Sequence, residues 1–264
     1  MVWRGGVVTF GTVSGYCSIY WGSFYLDEGV CWVSAAIRQV FDVLCHMHQN
    51  CPRHVYGEVL DVPSAYLVKV VRLLRSRISD QTEEEVLAQP GDLLAIPVKA
   101  GFAITMVLES GTEVLEGVRV APLLERFRGD FEAVGKQVSE HRDRIRDGHL
   151  VAVLGTLTGD RVVEPRRPDI HQPAYLLDQR YSALLLREAP VLLVTALRLP
   201  VGAEVQKCLL FAIELGLRRL REHLAASRTE FLRGLIAELS RERIFEKAIE
   251  VVHRLYKVLA EQQP

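Results

Sequence analysis

The sequence predicts an α+β protein. It opens with an N-terminal aromatic β-hairpin and a helix-turn-helix-like unit, continues through a small antiparallel sheet, and ends in a second α/β unit closed by two long C-terminal helices. Three observations carry this reading. Val33–Asn50 repeats apolar residues at helical spacing. Short apolar runs separated by glycine and proline turns fill Pro90–Val120. From Ala203 onward, leucines recur every three or four residues.

Taken in order, the first 33 residues hold all three tryptophans (Trp3, Trp21, Trp32). Their alternating Val7–Phe10 and Cys17–Trp21 segments predict a hairpin broken near Gly15, its rings forming core or covering an edge. Val33–Asn50 places Ile37, Val40, Phe41, Leu44 and Met47 on one stripe, and Pro63–Ser79 is predicted as the next strong helix. Leu93–Val98, Phe102–Leu108 and Val114–Val120 are predicted strands, with a turn at Ser110-Gly111, in a small sheet or half-barrel. Pro122–Arg146 reads as a charged helix, and Leu150–Leu157 and Arg161–Val163 as strands. Tyr181–Arg187 and Val191–Arg198 read as buried strands, and Ala203–Ala226 and Thr229–Gln262 as the closing helices. These elements group into three units: 1–80, 81–148 and 149–264.

An apolar content of 49% with 25% charged residues is that of a folded globular chain, so real cores are expected. A net charge of −1 excludes a generally basic nucleic-acid coat and confines any such contact to a local patch. The five cysteines (Cys17, Cys31, Cys45, Cys51, Cys208) show no disulfide-framework spacing. Met1–Gly6 is not followed by an apolar stretch and cleavage site, and Ala189–Leu199 is too short to span a bilayer. Cytoplasmic localisation without membrane contact is the expectation.

The segment Ala35–Arg77 carries a distinct pattern. Gly57 supplies a small residue, and Tyr56, Leu60, Val62, Leu67 and Val70 supply spaced apolar positions. Pro63 suits a first helical turn, and Ser64 suits its cap. Asp61 stands where such turns usually carry glycine, and aspartate tolerates left-handed backbone. Between Arg38 and Arg77, six basic residues face three acidic ones, a local excess of three positive charges. On these residues the segment resembles the helix-turn-helix part of bacterial winged-helix regulators. That resemblance implies nucleic-acid binding by Lys69, Arg72, Arg75 and Arg77, with phosphates or guanine edges as partners. The plainer reading is a helical hairpin with a solvated basic face. Tyr25-Leu26-Asp27-Glu28 and Pro90-Gly91-Asp92-Leu93 also resemble an uncharacterised bacterial family with an early Y-L-D segment and a later G-D-strand element. That family implies no activity. Asp27 and Glu28 suit a helix start better than a paired-carboxylate site.

Cys45, His48, Cys51 and His54 recur every third residue and offer zinc-type ligands, against a reading as a buried cysteine and surface histidines at a helix end. Arg166, Arg167, Asp169 and His171 share a proline-rich loop, and Cys208 with His253 is a conceivable nucleophile–base pair. No nucleotide-binding glycine motif, nucleophile elbow or H-E-x-x-H is present. The expected function is therefore a non-enzymatic regulatory or binding protein that contacts nucleic acid through a basic helix, with no cofactor, catalytic residue or metal assigned. Two alternatives stand beside it. One is a protein-interaction or scaffold component acting through its C-terminal helices, with a homodimer seam as the second reading of those helices; the other is an unrecognised hydrolase.

Overall fold

Leu67-Val68-Lys69-Val70-Val71-Arg72 has no strict period of two, but three of its six residues are β-branched valines, and tertiary pairing makes it a strand. In the computed structural model, described here for residues 35–50, 55–72, 87–114, 145–241 and 245–260, this segment is β2 of a closed barrel. The chain divides into two units, Met1–Val33 and Ser34–Pro264, and the description concerns the second. The expected aromatic hairpin, with Asp27 and Glu28, lies outside the described residues.

The elements run α1 (Ala35–Asn50), β1 (Gly57–Asp61), β2 (Leu67–Arg72), β3 (Leu93–Val98), β4 (Gly101–Val114), β5 (Ile145–Thr158), β6 (Arg161–Val163) and β7 (Pro173–Leu176). Five further helices follow: α2 (Gln179–Glu188), α3 (Val191–Arg198), α4 (Ala203–Arg219), α5 (Arg228–Arg241) and α6 (Phe245–Ala260). A single helical turn at Arg221–Leu224 and a 3₁₀ turn at Ala225–Ser227 join α4 to α5.

The strand order β2-β1-β7-β3-β4-β5 is antiparallel throughout and closes on itself through β2–β5, where Leu67 faces Ala152 and Val71 faces Gly148. β6 hangs outside the closed ring as a hairpin on the end of β5. This corrects the expected fold. A six-stranded closed barrel with helices replaces a small open sheet; the first helix of the helix-turn-helix-like unit is α1, but where its second and third helices were expected the chain forms the β1–β2 hairpin as far as Arg72, residues 73–79 lying outside the described residues. The turn expected at Ser110-Gly111 is absent, because both residues continue β4 and pair with His149 and Gly148.

Two further expectations fail for a physical reason. Tyr181–Arg187 and Val191–Arg198 lie in helices α2 and α3. A short apolar run has no period of its own that separates a buried strand from a buried helix. Here leucine favours the helix, the Asp178 side chain accepts the Tyr181 N–H at 2.8 Å, and Pro190 starts the next helix. The predicted helix Thr229–Gln262 is instead two antiparallel helices, α5 and α6, with Arg228 reaching the Leu259 carbonyl at their shared end. In the sequence, the polar run Ser240-Arg241-Glu242-Arg243 interrupts the apolar stripe between the two helices, at the end opposite that contact.

Alternation along the strands sorts two cores. Val59, Val68, Val70, Leu94, Ile96, Ala103, Val107, Val151, Val153 and Ala174 fill the barrel with small and β-branched side chains. Leu93, Ala95, Phe102, Ile104, Met106, Ala152, Leu154 and Tyr175 point outward and are covered by the helices. α1 docks on this outer face through Ile37, Val40 and Leu44, and Phe41 meets Phe102 edge-on with ring centres 5.9 Å apart.

The Pro90-Gly91-Asp92 motif fastens barrel to helices. Its turn is closed by Asp92 N–H to the Gln89 carbonyl, and Asp92 Oδ2 accepts the Gln89 N–H at 2.8 Å. Gly91, at φ +93°, donates its N–H to the Val107 carbonyl at 2.8 Å, and the Val107 N–H returns to the Asp92 carbonyl at 2.9 Å. Its Cα faces Gly216 of α4 so closely that a Cβ would lie 2.3 Å from the Ala212 carbonyl oxygen and 2.5 Å from the Gly216 nitrogen. Arg219, one turn later, bonds Asp92 Oδ1 at 2.8 Å and the Pro90 carbonyl. Gly91→Ala therefore meets both a clash with backbone and a left-handed φ. Chemical denaturation should show a loss of about 3 kcal/mol or more.

Candidate functional site

One mouth of the barrel is polar. Tyr56 ahead of β1, Ser110 on β4, His149 on β5 and the Ala88 backbone ahead of β3 meet there. The Ala88 N–H donates to the Tyr56 hydroxyl at 3.0 Å, and that hydroxyl lies 2.6 Å from His149 Nε2. His149 Nδ1 lies 2.9 Å from Ser110 Oγ, which in turn donates to the Ala88 carbonyl at 3.4 Å. The result is a closed ring of hydrogen bonds beginning and ending on one residue's backbone.

Donor counting fixes its direction. The Ala88 N–H can only donate, so the Tyr56 oxygen accepts there and its own proton goes to Nε2. The neutral imidazole then carries its proton on Nδ1 and donates it to Ser110, whose hydroxyl proton goes to the Ala88 carbonyl. The reverse order withdraws the Ser110 proton from that carbonyl and gives the Tyr56 proton no acceptor within the ring. A serine that receives a proton from histidine is not an activated nucleophile, because activation needs the imidazole lone pair on the hydroxyl. In this state the ring is a clasp between four segments.

The surroundings hold His149 neutral. It is 2% exposed, and burial pushes its pKa below the usual imidazole value, with Arg72 adding to that effect and Asp147 and Asp92 opposing it. Burial likewise raises the Tyr56 hydroxyl above its ordinary range. Arg72 closes the mouth by an ion pair to Asp147 at 3.1 Å, with 18% of its side chain exposed.

The residues singled out from the sequence are placed as follows. Lys69 and Arg72 lie on β2, Lys69 across from Asp61 and Arg72 bound to Asp147; Arg75 and Arg77 lie outside the described residues. Leu67–Arg72 therefore presents no helix to a groove. Cys45 packs on the helical core, and His48 pairs with the buried Tyr175 hydroxyl at 2.9 Å; Cys51 and His54 lie outside the described residues. Among the described residues no three histidine, cysteine or acidic side chains gather as a metal site. The 164–172 loop extends the β1–β7 edge: His171 donates its N–H to the Val59 carbonyl, and its Nδ1 lies 2.6 Å from Glu58 Oε1. Arg166, Arg167 and Asp169 are exposed on that loop. Cys208 and His253 occupy the solvent faces of α4 and α6. A groove of about 470 Å³ runs along α1, lined by Ala35, Arg38, Gln39, Asp42, Val43 and His46.

The outer surface of the helical layer carries large apolar side chains that the leucine stripes do not include. Phe211 on α4 is 58% exposed, Ile236 on α5 48% and Tyr256 on α6 51%. Their signal in the sequence is their phase, since each falls off the buried stripe of its own helix. The Tyr56–His149–Ser110 ring had no such signal, because its members are up to 93 residues apart.

No protein-family model matches the sequence, and no curated protein matches it. No helix among the described residues is long and apolar enough to cross a membrane.

Two outcomes test the clasp. Tyr56→Phe leaves the Ala88 N–H and His149 Nε2 without their partner and should destabilise the fold by about 1–3 kcal/mol in urea titration. The second is pH dependence. With the folded pKa of His149 below its ordinary 6.5, the unfolded chain takes up the proton first as pH falls. The stabilisation is complete above about pH 6.5 and is lost as pH drops toward the folded pKa. His149→Gln should flatten that acid limb of the stability curve.

Proposed function

We propose that this protein is a non-enzymatic protein-interaction component whose docking surface is the outer face of its C-terminal helices. The exposure of Phe211, Ile236 and Tyr256, one on each of α4, α5 and α6, supports this reading most directly. An aromatic or branched side chain held on a rigid helix loses little conformational entropy on docking, which is why such residues act as interface anchors. The helices beneath them are fixed by a continuous apolar core and by the Glu214–Arg254 ion pair at 2.6 Å between α4 and α6. The barrel serves as a rigid base for that layer. Contact with nucleic acid has less in its favour, since Lys69 and Arg72 already stand beside Asp61 and Asp147.

The test compares the wild type with the triple variant Phe211→Ser, Ile236→Ser, Tyr256→Ser, after a thermal melt shows equal stability. The reading expects a protein partner, or a defined self-assembly, that the wild type holds and the variant loses. Identical behaviour of the two in both assays overturns it. Salt-dependent binding to random duplex DNA that survives in the triple variant would move the function to nucleic acid.

A further inference from the structure

We infer that α4 is the seam of a two-fold homodimer centred on Phe211, an inference that rests on the helical-face reading above and names the partner as a second copy of this chain. The argument starts from spacing. Glu204, Cys208, Phe211, Leu215 and Arg218 follow one another at steps of four, three, four and three along α4. Such steps keep residues on one narrow face, the spacing of a helix–helix seam. Glu204, Cys208, Phe211 and Arg218 are exposed and Leu215 is half-buried. The opposite face of α4, with Leu209, Ala212, Ile213, Gly216 and Leu217, is buried against the molecule's own core.

The stripe has a symmetry that selects its partner. Three apolar side chains occupy its centre, an acid stands seven residues before Phe211, and a base stands seven residues after it. Two copies packed antiparallel about a dyad at Phe211 bring Glu204 of each against Arg218 of the other, while Cys208 of each lies beside Leu215 of the other. In a two-fold contact residue i meets residue j and j meets i, so one patch must complement itself when reversed. This stripe does so. A parallel pairing would set acid against acid and base against base. Glu204 pairs with Lys207 at 2.8 Å and Arg218 also has an interaction within its own chain; both side chains are solvent-exposed, so exchanging these contacts for the intermolecular pair costs little. At the dyad the two Phe211 rings pack on each other, and the edge-to-face or offset geometry open to them favours a close approach of the helices.

Sedimentation equilibrium of the full chain tests the seam. The wild type should dimerise, and Phe211→Asp should sediment as a monomer with an unchanged circular-dichroism spectrum and a melt that no longer rises with concentration. Glu204→Arg and Arg218→Glu should each weaken the dimer about tenfold, and the double variant E204R/R218E should restore it, because the exchanged charges meet again across the dyad. A thiol reporter gives an independent reading. In the antiparallel pair the two Cys208 residues are about 9 Å apart along the axes and about 13 Å apart in total. In a variant whose other four cysteines are serine, a bismaleimide of that span should cross-link two chains, and adding Cys208→Ser should abolish the product. A wild type that stays monomeric at concentrations on the order of 100 μM overturns the inference. So does a dimer indifferent to Phe211→Asp and to the charge exchange. Should the chain be monomeric while the triple serine variant still loses a different protein partner, the homodimer fails and the helical-face function stands.

Discussion

Closure of the barrel by the β2–β5 ladder is the constraint on which the rest of the structure depends. β5 is paired along its length to β4 and, from Gly148 to Ala152, also to β2. With both edges engaged, every strand acquires an inside and an outside. Val68 and Val70 must then fill the interior and the alternate positions must be covered or solvated. Closure also removes the exposed hydrogen-bonding edge that an open sheet would present. The outward apolar residues of β3, β4, β5 and β7 are left as a surface that only a helical layer can bury. Two bulges in the β4–β5 pair, at Ile104/Thr105 and Val107/Glu109, keep that alternation in phase while the long ribbon bends.

Two devices tie this closed sheet to what surrounds it. The Gly91–Gly216 approach lets α4 sit directly on the turn before β3, and the Arg219–Asp92 bond fixes the helix against sliding. A few residues earlier in the same segment, the Ala88 backbone is both the start and the end of the Tyr56–His149–Ser110 ring. The short stretch from Ala88 to Asp92 thus couples the barrel mouth to the helical layer. A fully satisfied polar ring of this kind specifies one arrangement strongly, since any member lost leaves a buried group without a partner. That is why residues of catalytic type, a serine beside a histidine beside a tyrosine, are read here as a clasp.

The proposed function draws on the surface the core leaves over. Each outer helix satisfies its buried stripe inward and still carries one large apolar side chain outward. On α4 that side chain is centred in a charge pattern that reverses onto itself, and the geometry of a helix surface turns such a pattern into a choice of partner.

The sequence by itself determined the elements whose periodicity was long or whose partners were local. The α1 stripe of Ile37, Val40 and Leu44 was legible, as were β3 and the Phe102–Leu108 part of β4, the Pro90-Gly91-Asp92 turn and the leucine face of α4. Tertiary structure alone decided the rest. Leu67–Arg72 became a strand because β1 and β5 stand on either side of it, and backbone pairing with distant residues overrides a local helical pattern. Tyr181–Arg187 and Val191–Arg198 became helices because they lie on the barrel rather than in it. The polar ring assembles Tyr56, Ala88, Ser110 and His149 from four segments, and nothing within any one of them marks it. Periodicity is a property of neighbours along the chain, whereas closure, burial and hydrogen-bond satisfaction are properties of neighbours in space.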